Sequence, residues 1–197
     1  MKPDLIRCFA AIEIPERIQA LIVEVQNAFR PKIEKASWTK QGNFHLTLKF
    51  LGDVEDRNIN EISAALQKIA ESQTPFSIEI GGIGAFPNLA RPRVLWVGLK
   101  QGTPLTVKLS RVINNEFVKF GFEKDTRFHP HLTLARLRNQ VNLNSFISLF
   151  KKFETIDGAL LTVDKITLVK SELHPSGAVY TPLKICEFNK EKADNGK

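Results

Sequence analysis

Cysteine is scarce in this 197-residue chain: Cys8 and Cys186 are the only two, and neither sits in a C-x-x-C or other metal-ligand spacing. That excludes a disulfide scaffold and a thiolate-held metal centre as organising features, and a reduced, cytoplasmic setting is the simplest reading. Long apolar runs are missing too. No stretch approaches the ~20 residues that cross a bilayer, so no membrane partner is expected. The opening Met1-Lys2-Pro3-Asp4-Leu5-Ile6-Arg7 has no apolar h-region before its first charges, which argues against a secretory signal. Gly81-Gly82-Ile83-Gly84 fits neither the dinucleotide fingerprint nor a P-loop and reads as a strand-end turn. Histidine is also rare, with four in all: His45, His129, His131 and His174.

What is present is an ordinary 43% hydrophobic content in a chain long enough to bury a core. The formal net charge is +7 and the sequence pI is near 9.5. A basic balance favours anionic partners such as RNA, DNA or nucleotides; a merely soluble basic surface is the competing reading, since the lysines are dispersed.

Two of the four histidines open the same word, His-Leu-Thr-Leu, at residues 45–48 and 131–134. The surroundings repeat as well. Arg7–Ile14 is a short apolar run that reads as a buried strand, followed by Pro15 and a helix with Ile18, Leu21, Ile22, Val25 and Phe29 at helical spacing. A connecting stretch from Trp38 leads to the strand Phe44–Leu51. A helix over about 56–71 and an alternating strand Phe76–Ile80 follow, then a Gly-rich loop over Gly81–Pro87. The order then recurs: strand Arg93–Leu99, a helix from Thr103-Pro104 to the stop at Gly121, strand Phe128–Leu137, a helix marked by Leu143, Phe146, Ile147, Phe150 and Phe153, and closing strands Leu161–Val169 and Ala178–Phe188. The tail from Asn189 is polar. His131 follows His45 by 86 positions, and Arg93 follows Arg7 by the same 86. One register therefore relates two landmarks. The predicted fold is α+β: a bilobal domain over 1–188 of two pseudo-symmetric β-α-β-α-β lobes, about 1–90 and 91–188, whose largely antiparallel sheets face a central cleft.

On a strand, residues i and i+2 share a face. Each word therefore presents one imidazole and one hydroxyl on one side and two leucines on the other. Two such pairs facing each other suit acid/base chemistry on a small tetrahedral anion, phosphate first. One histidine can take a proton from an attacking water while the other protonates the leaving oxygen, and the threonines can hold the oxygens where charge builds. A single His-x-Thr is most often a structural or surface pair; core packing gives no reason for the same polar pair at equivalent places twice. A metal site is a rival reading, but Pro130 separates His129 from His131 and no carboxylate or Cys cluster adjoins. His129 and His174 read as loop and turn residues. Strand parity aims Arg136 away from Thr133 unless a bulge redirects it; a guanidinium there would suit a phosphate. Lys49 reads as a solvated charge. Phe9, Trp38, Trp96 and Tyr180 read as core, with stacking on a base as the functional alternative.

These residues resemble a known family. Phe44-His45-Leu46-Thr47-Leu48-Lys49-Phe50-Leu51-Gly52 and Pro130-His131-Leu132-Thr133-Leu134-Ala135-Arg136 are similar to the paired motifs of the two-histidine (2H) phosphoesterase superfamily. More narrowly, they resemble those of the bacterial and archaeal RNA 2',3'-cyclic phosphodiesterases, also called 2'-5' RNA ligases. The likeness extends to Arg7–Ile12, Gly84–Pro87, Val94–Gly98 and residues 176–180. It implies a bilobal fold and hydrolysis of an RNA 2',3'-cyclic phosphate to a terminal 2'-phosphate, with no metal or other cofactor. His45 would be the proton donor to the 3'-oxygen and His131 the base that activates water. Thr47, Thr133 and Arg136 would hold the phosphate. Implied partners are RNA with 2',3'-cyclic phosphate ends or small cyclic nucleotides, with 2'-5' ligation when an RNA hydroxyl takes the place of water; the sequence leaves the oligomeric state open, a monomer being favoured. The alternatives are a nucleotide- or RNA-binding module without turnover, a phosphodiesterase for another cyclic or 2'-5'-linked nucleotide, and a metal-dependent hydrolase.

Overall fold

The computed structural model describes residues 4–175 and 177–190, so Ser176 and the part of the polar tail from 191 on lie outside the described residues. The chain runs β1 (Leu5–Glu13), α1 (Glu16–Phe29), β2 (Ala36–Trp38), β3 (His45–Glu55), α2 (Ile59–Ser72), β4 (Phe76–Phe86), β5 (Val94–Gln101), α3 (Thr103–Phe117), β6 (Leu132–Leu137), α4 (Ile147–Lys152), β7 (Leu160–Val163), β8 (Lys165–His174) and β9 (Gly177–Glu187). The strands form two antiparallel sheets, ordered β3-β1-β8-β9 and β2-β6-β5-β4-β7. The α+β class and the two facing lobes are as the repeat predicts.

Each helix buries the face its apolar spacing defines. Ile18, Ile22, Val25 and Phe29 of α1 are buried, as are Ile62, Leu66 and Ile69 of α2 and Leu109, Ile113 and Phe117 of α3. The start of α3 depends on Gly102, which caps it at φ 84, a left-handed conformation that costs glycine little. The leucines of both His-Leu-Thr-Leu words, Leu46, Leu48, Leu132 and Leu134, are all buried. Alternation thus turns the imidazoles and hydroxyls out of the core.

The halves of the sequence and the lobes in space do not coincide. β4 belongs to the first repeat by position but pairs with β5, and β8 from the far end pairs with β1. The helices cross in the same way. α3 packs on β3, whereas α1 reaches the other sheet, where Arg17 donates to the carbonyls of Gly158 and Leu160 at 2.9 and 2.7 Å. A cut near residue 90 separates two repeats in the chain, but each sheet is built from both. The reason is local: β4 and β5 are joined by a short connection and pair as antiparallel neighbours, which leaves β1 to find its second partner at the far end.

Four local expectations differ from the structure. The Gly81–Pro87 segment is not a loop, because β4 continues through it to Phe86, with a register irregularity between Ile80 and Ile83. The strand expected over Leu161–Val169 breaks at Asp164 into β7 and β8, which lie in different sheets. His174 is not a turn residue but ends β8, opposite Gly177. The strand containing the second word starts only at Leu132, since Pro130 offers no N–H to a ladder.

Candidate active site

The five residues singled out from sequence meet at one place. His45, Thr47, His131, Thr133 and Arg136 line a cavity of about 170 Å³, together with Thr39, Asn43, Phe44 and Tyr180. His45 opens β3, His131 immediately precedes β6, and both rings are half-buried.

Arg136 reaches the cavity because β6 is bulged. Trp96 pairs with Thr133 but Leu95 pairs with Ala135, so Leu134 is an extra residue opposite the Leu95–Trp96 link. One inserted residue inverts the alternation beyond it and returns Arg136 to the side of Thr133. β3 carries the same device: Ala11 pairs with Thr47 and Ala10 with Lys49, leaving Leu48 extra. Both bulges are held by a buried polar residue of a crossing helix. Gln26 of α1, 1% exposed, donates from Nε2 to the Leu134 carbonyl at 2.8 Å, and the Thr39 amide shares that acceptor at 3.0 Å. Ser110 of α3 donates from Oγ to the Leu48 carbonyl at 2.8 Å. Lys49 differs from its solvated expectation: it is 6% exposed, and its ammonium donates to the Glu123 carbonyl.

The two imidazoles are oriented in the same manner. Nδ1 of His45 lies 2.9 Å from the Asn43 carbonyl, and Nδ1 of His131 lies 2.7 Å from the His129 carbonyl. A carbonyl only accepts, so Nδ1 carries the hydrogen and Nε2 is the nitrogen left for proton transfer. Burial lowers both pKa values below the usual 6.5; the two carbonyls oppose this, while the neighbouring His131 lowers His45 further, and His129 and Arg136 lower His131 further. The hydroxyls of Thr47 and Thr133 are committed to no hydrogen bond among the described residues. The cavity thus offers two proton-transfer nitrogens, two free hydroxyls and a guanidinium. That set can bind a tetrahedral anion and move a proton on each side of it.

Among the described residues no three His, Cys, Asp or Glu side chains gather as a metal-holding group. Residues 12–96 and 99–180 match the family of LigT-like phosphoesterases. The chain belongs to that family. Similar curated proteins include the RNA 2',3'-cyclic phosphodiesterase of Methanothermobacter thermautotrophicus, 29% identical over 180 residues, with 91% of this chain and 97% of that protein covered. The protein of the same name from Methanocaldococcus jannaschii is 32% identical over 178 residues, covering 90% and 98%. Among solved structures, Escherichia coli LigT complexed with 3'-AMP superposes with a TM-score of 0.77 at 25% identity, over 95% of this chain and all of that one. A protein of Thermus thermophilus gives 0.79 at 28%, over 94% and 99%.

In this LigT-like phosphoesterase each imidazole sits among aromatic rings. Phe9 stacks on His45 with centroids 4.5 Å apart, and Tyr180 meets His45 edge-on at 5.0 Å. Phe86 meets His131 edge-on at 4.9 Å, and Trp96 lies 6.2 Å from it. Phe9 is buried, as a core reading requires, yet it faces the cleft in a small cluster with Ala11, Val169 and Tyr180, apart from the main core. Tyr180 was not among the predicted site residues. It comes from β9, over a hundred positions from His45, and the sequence offered it only as a core residue that could stack on a base, at the end of the family-like segment over residues 176–180. Asn43 and His129 were missed as orienting groups because their backbones do the work. The one available signal was that each stands two residues before a motif histidine.

Proposed function

We propose that this chain hydrolyses 2',3'-cyclic phosphate ends of RNA to 2'-phosphates. The observation that carries the reading is the pair of imidazoles, each with Nδ1 tied to the carbonyl two residues earlier and Nε2 left to one small cavity holding Thr47, Thr133 and Arg136. The names of the relatives supply the substrate class. Phosphate oxygens accept hydrogen bonds from Thr47 and Thr133, and Arg136 offsets their charge. His131, neutral because its pKa is held down, takes a proton from water as the water oxygen bonds to phosphorus. The bond from phosphorus to the 3'-oxygen breaks, and His45 gives that oxygen its proton. The products are a 2'-phosphate and a 3'-hydroxyl, and a proton passes back from His131 to His45 through solvent. Replacing water by an RNA 5'-hydroxyl gives a 2'-5' linkage by the same steps. The protein's own groups suffice for each transfer, so turnover is expected to persist in a chelator. A cytoplasmic location fits the two free, buried cysteines.

The test is a product assay on an oligoribonucleotide ending in a 2',3'-cyclic phosphate, with 2'- and 3'-phosphate products resolved, in EDTA. Only the 2'-phosphate is expected, and His45→Ala and His131→Ala should each lose at least 10²-fold in kcat. Full activity in either variant, or binding without product, would overturn the mechanism; loss of turnover on chelation would favour a metal-dependent hydrolase.

A further inference from the structure

His45 and His131 are carried by different lobes, and the cavity depends on what fixes one relative to the other. The chain approaches His45 through β2, which pairs with β6. Thr39, next along, donates its amide to the Leu134 carbonyl at 3.0 Å. The approach to His131 has no such ladder. Residues 121–131 are neither helix nor strand, and β3 is the edge of its sheet among the described residues. By the 86-residue register the counterparts of β2 are residues 122–124, but these stand off from β3. The groove between residues 49–52 and 122–127 holds about 470 Å³.

Two polar connections cross that gap. Asp125, the counterpart of Thr39, reaches the β3 bulge through two interposed side chains. Its amide donates to Oδ1 of Asn114 at 3.0 Å, Nδ2 of Asn114 donates to Ser110 Oγ at 3.2 Å, and Ser110 Oγ donates to the Leu48 carbonyl. The second connection is Lys49. A regular strand would put its side chain beside Thr47 in the cavity, but the extra residue Leu48 turns it to the other face. There it is 6% exposed, and its ammonium donates to the carbonyl of Glu123, the counterpart of Ser37 in β2. An ammonium is costly to bury, so a position that holds one signals a specific partner. Burial lowers its pKa, and the charges of Asp125 and Glu123 oppose this. Asp125 holds the same segment further along, accepting from the Arg127 amide at 2.9 Å. In the lobe whose approach is paired as a strand, the counterpart of Lys49 is Ala135, whose methyl group has no donor to offer.

We propose that Lys49 is a positioning residue for catalysis: its ammonium stands in for the missing strand ladder and fixes residues 122–131, and with them the His129 carbonyl and the His131 ring. The role rests on reading the two imidazoles as the proton carriers. It is separable from phosphate binding, because Thr133 and Arg136 lie on β6, whose pairing with β2 and β5 does not involve Lys49.

The experiment is Lys49→Met, which keeps length and apolar bulk but removes the donor. kcat on an oligoribonucleotide ending in a 2',3'-cyclic phosphate should fall about 10²-fold, the cost of a displacement of order 1 Å at a reacting group. KM and inhibition by inorganic phosphate should change little. Lys49→Arg keeps the charge and the N–H donors and should recover most of kcat. In nitrogen NMR spectra of the histidine rings, the Nδ1–H tautomer signature of His131 should be lost in Lys49→Met while that of His45 persists. A general loss of stability would not separate the two rings. Asp125 is exposed, so Asp125→Ala serves where Lys49→Met does not fold; it should show a smaller loss of kcat and the same selective change at His131. Wild-type kcat with an unchanged His131 signature overturns the role of Lys49, as does an equal loss at both imidazoles together with phosphate inhibition. A wild type inert on the cyclic phosphate, but with a His131 signature that depends on Lys49, overturns the catalytic reading instead and leaves the brace standing.

Discussion

Gly84→Ala should damage both stability and catalysis, although the change adds one methyl group to a strand. Gly84 on β4 is the cross-strand partner of Trp96 on β5, and the Trp96 indole lies across it. A Cβ at residue 84 would sit 2.1 Å from Cη2 and Cζ2 of that ring and 2.6 Å from Cε2. Carbon atoms rest at about 3.5–4.0 Å, so the indole must lift by roughly 1.5 Å. The far end of a flexible chain could yield, but this is a rigid bicyclic ring. It is hemmed by Phe86 at 5.2 Å and His129 at 4.9 Å, with His131 at 6.2 Å. Its Nε1 is buried and makes no hydrogen bond among the described residues, so packing alone sets where the ring lies. Overpacking of this kind costs about 1–3 kcal/mol. A ring pushed toward His129 also disturbs the carbonyl that orients His131, and a displacement of order 1 Å at a reacting group can cost about 10²-fold. Urea denaturation and kcat on a cyclic-phosphate oligonucleotide measure the two effects. A Gly84→Ala protein with wild-type midpoint and wild-type kcat would refute this account of how the second imidazole is placed.

The pH dependence should show the suppressed histidine pKa values directly. kcat/KM should fall on the alkaline side through a pKa below 6.5, as the free protein loses the proton His45 must donate. The same limb in kcat should lie at higher pH, because a bound phosphate anion favours the imidazolium; coincident limbs would contradict this. Folding stability has a definite sign as well: the unfolded chain binds more protons at these two positions, so stability is retained above the unfolded pKa and lost as pH falls through the folded values. Calorimetry between pH 5 and 7 reads that slope, which His131→Phe should reduce. Gln26→Met should cost about 1–3 kcal/mol in chemical denaturation, because the Thr39 carbonyl loses its buried Gln26 donor and the Leu134 carbonyl keeps only an amide. It should also weaken inhibition by inorganic phosphate, as the bulge that aims Arg136 loosens; unchanged inhibition would separate the bulge from the site. The Cys8 thiol, buried and beside Asp53, has its pKa raised to about 11, so it should resist iodoacetamide in the native protein and react only on unfolding, which mass spectrometry can follow.

The repeated word made the imidazoles, the hydroxyls and the two-lobe plan legible, because strand alternation and a shared 86-residue register are properties of the sequence itself. Arg136 was legible as a residue type but not as a direction. Its side of the strand depends on the extra residue Leu134, and nothing in Leu132–Leu137 announces a bulge whose stabilising hydrogen bond comes from Gln26. The Gly81–Phe86 segment looked like a loop because its glycines suggest a turn, whereas Gly84 serves as floor for an indole on the next strand. Tyr180 was hidden for a related reason: its relation to His45 exists only once β8 and β9 have joined the sheet of β1.

The crossing of α1 and α3 has a consequence for how such a molecule could be divided. Each repeat takes its third strand and the helix that braces its bulge from its sibling. A polypeptide holding a single repeat would have to borrow both from another molecule, and two of them together would rebuild the whole arrangement as an interlocked pair.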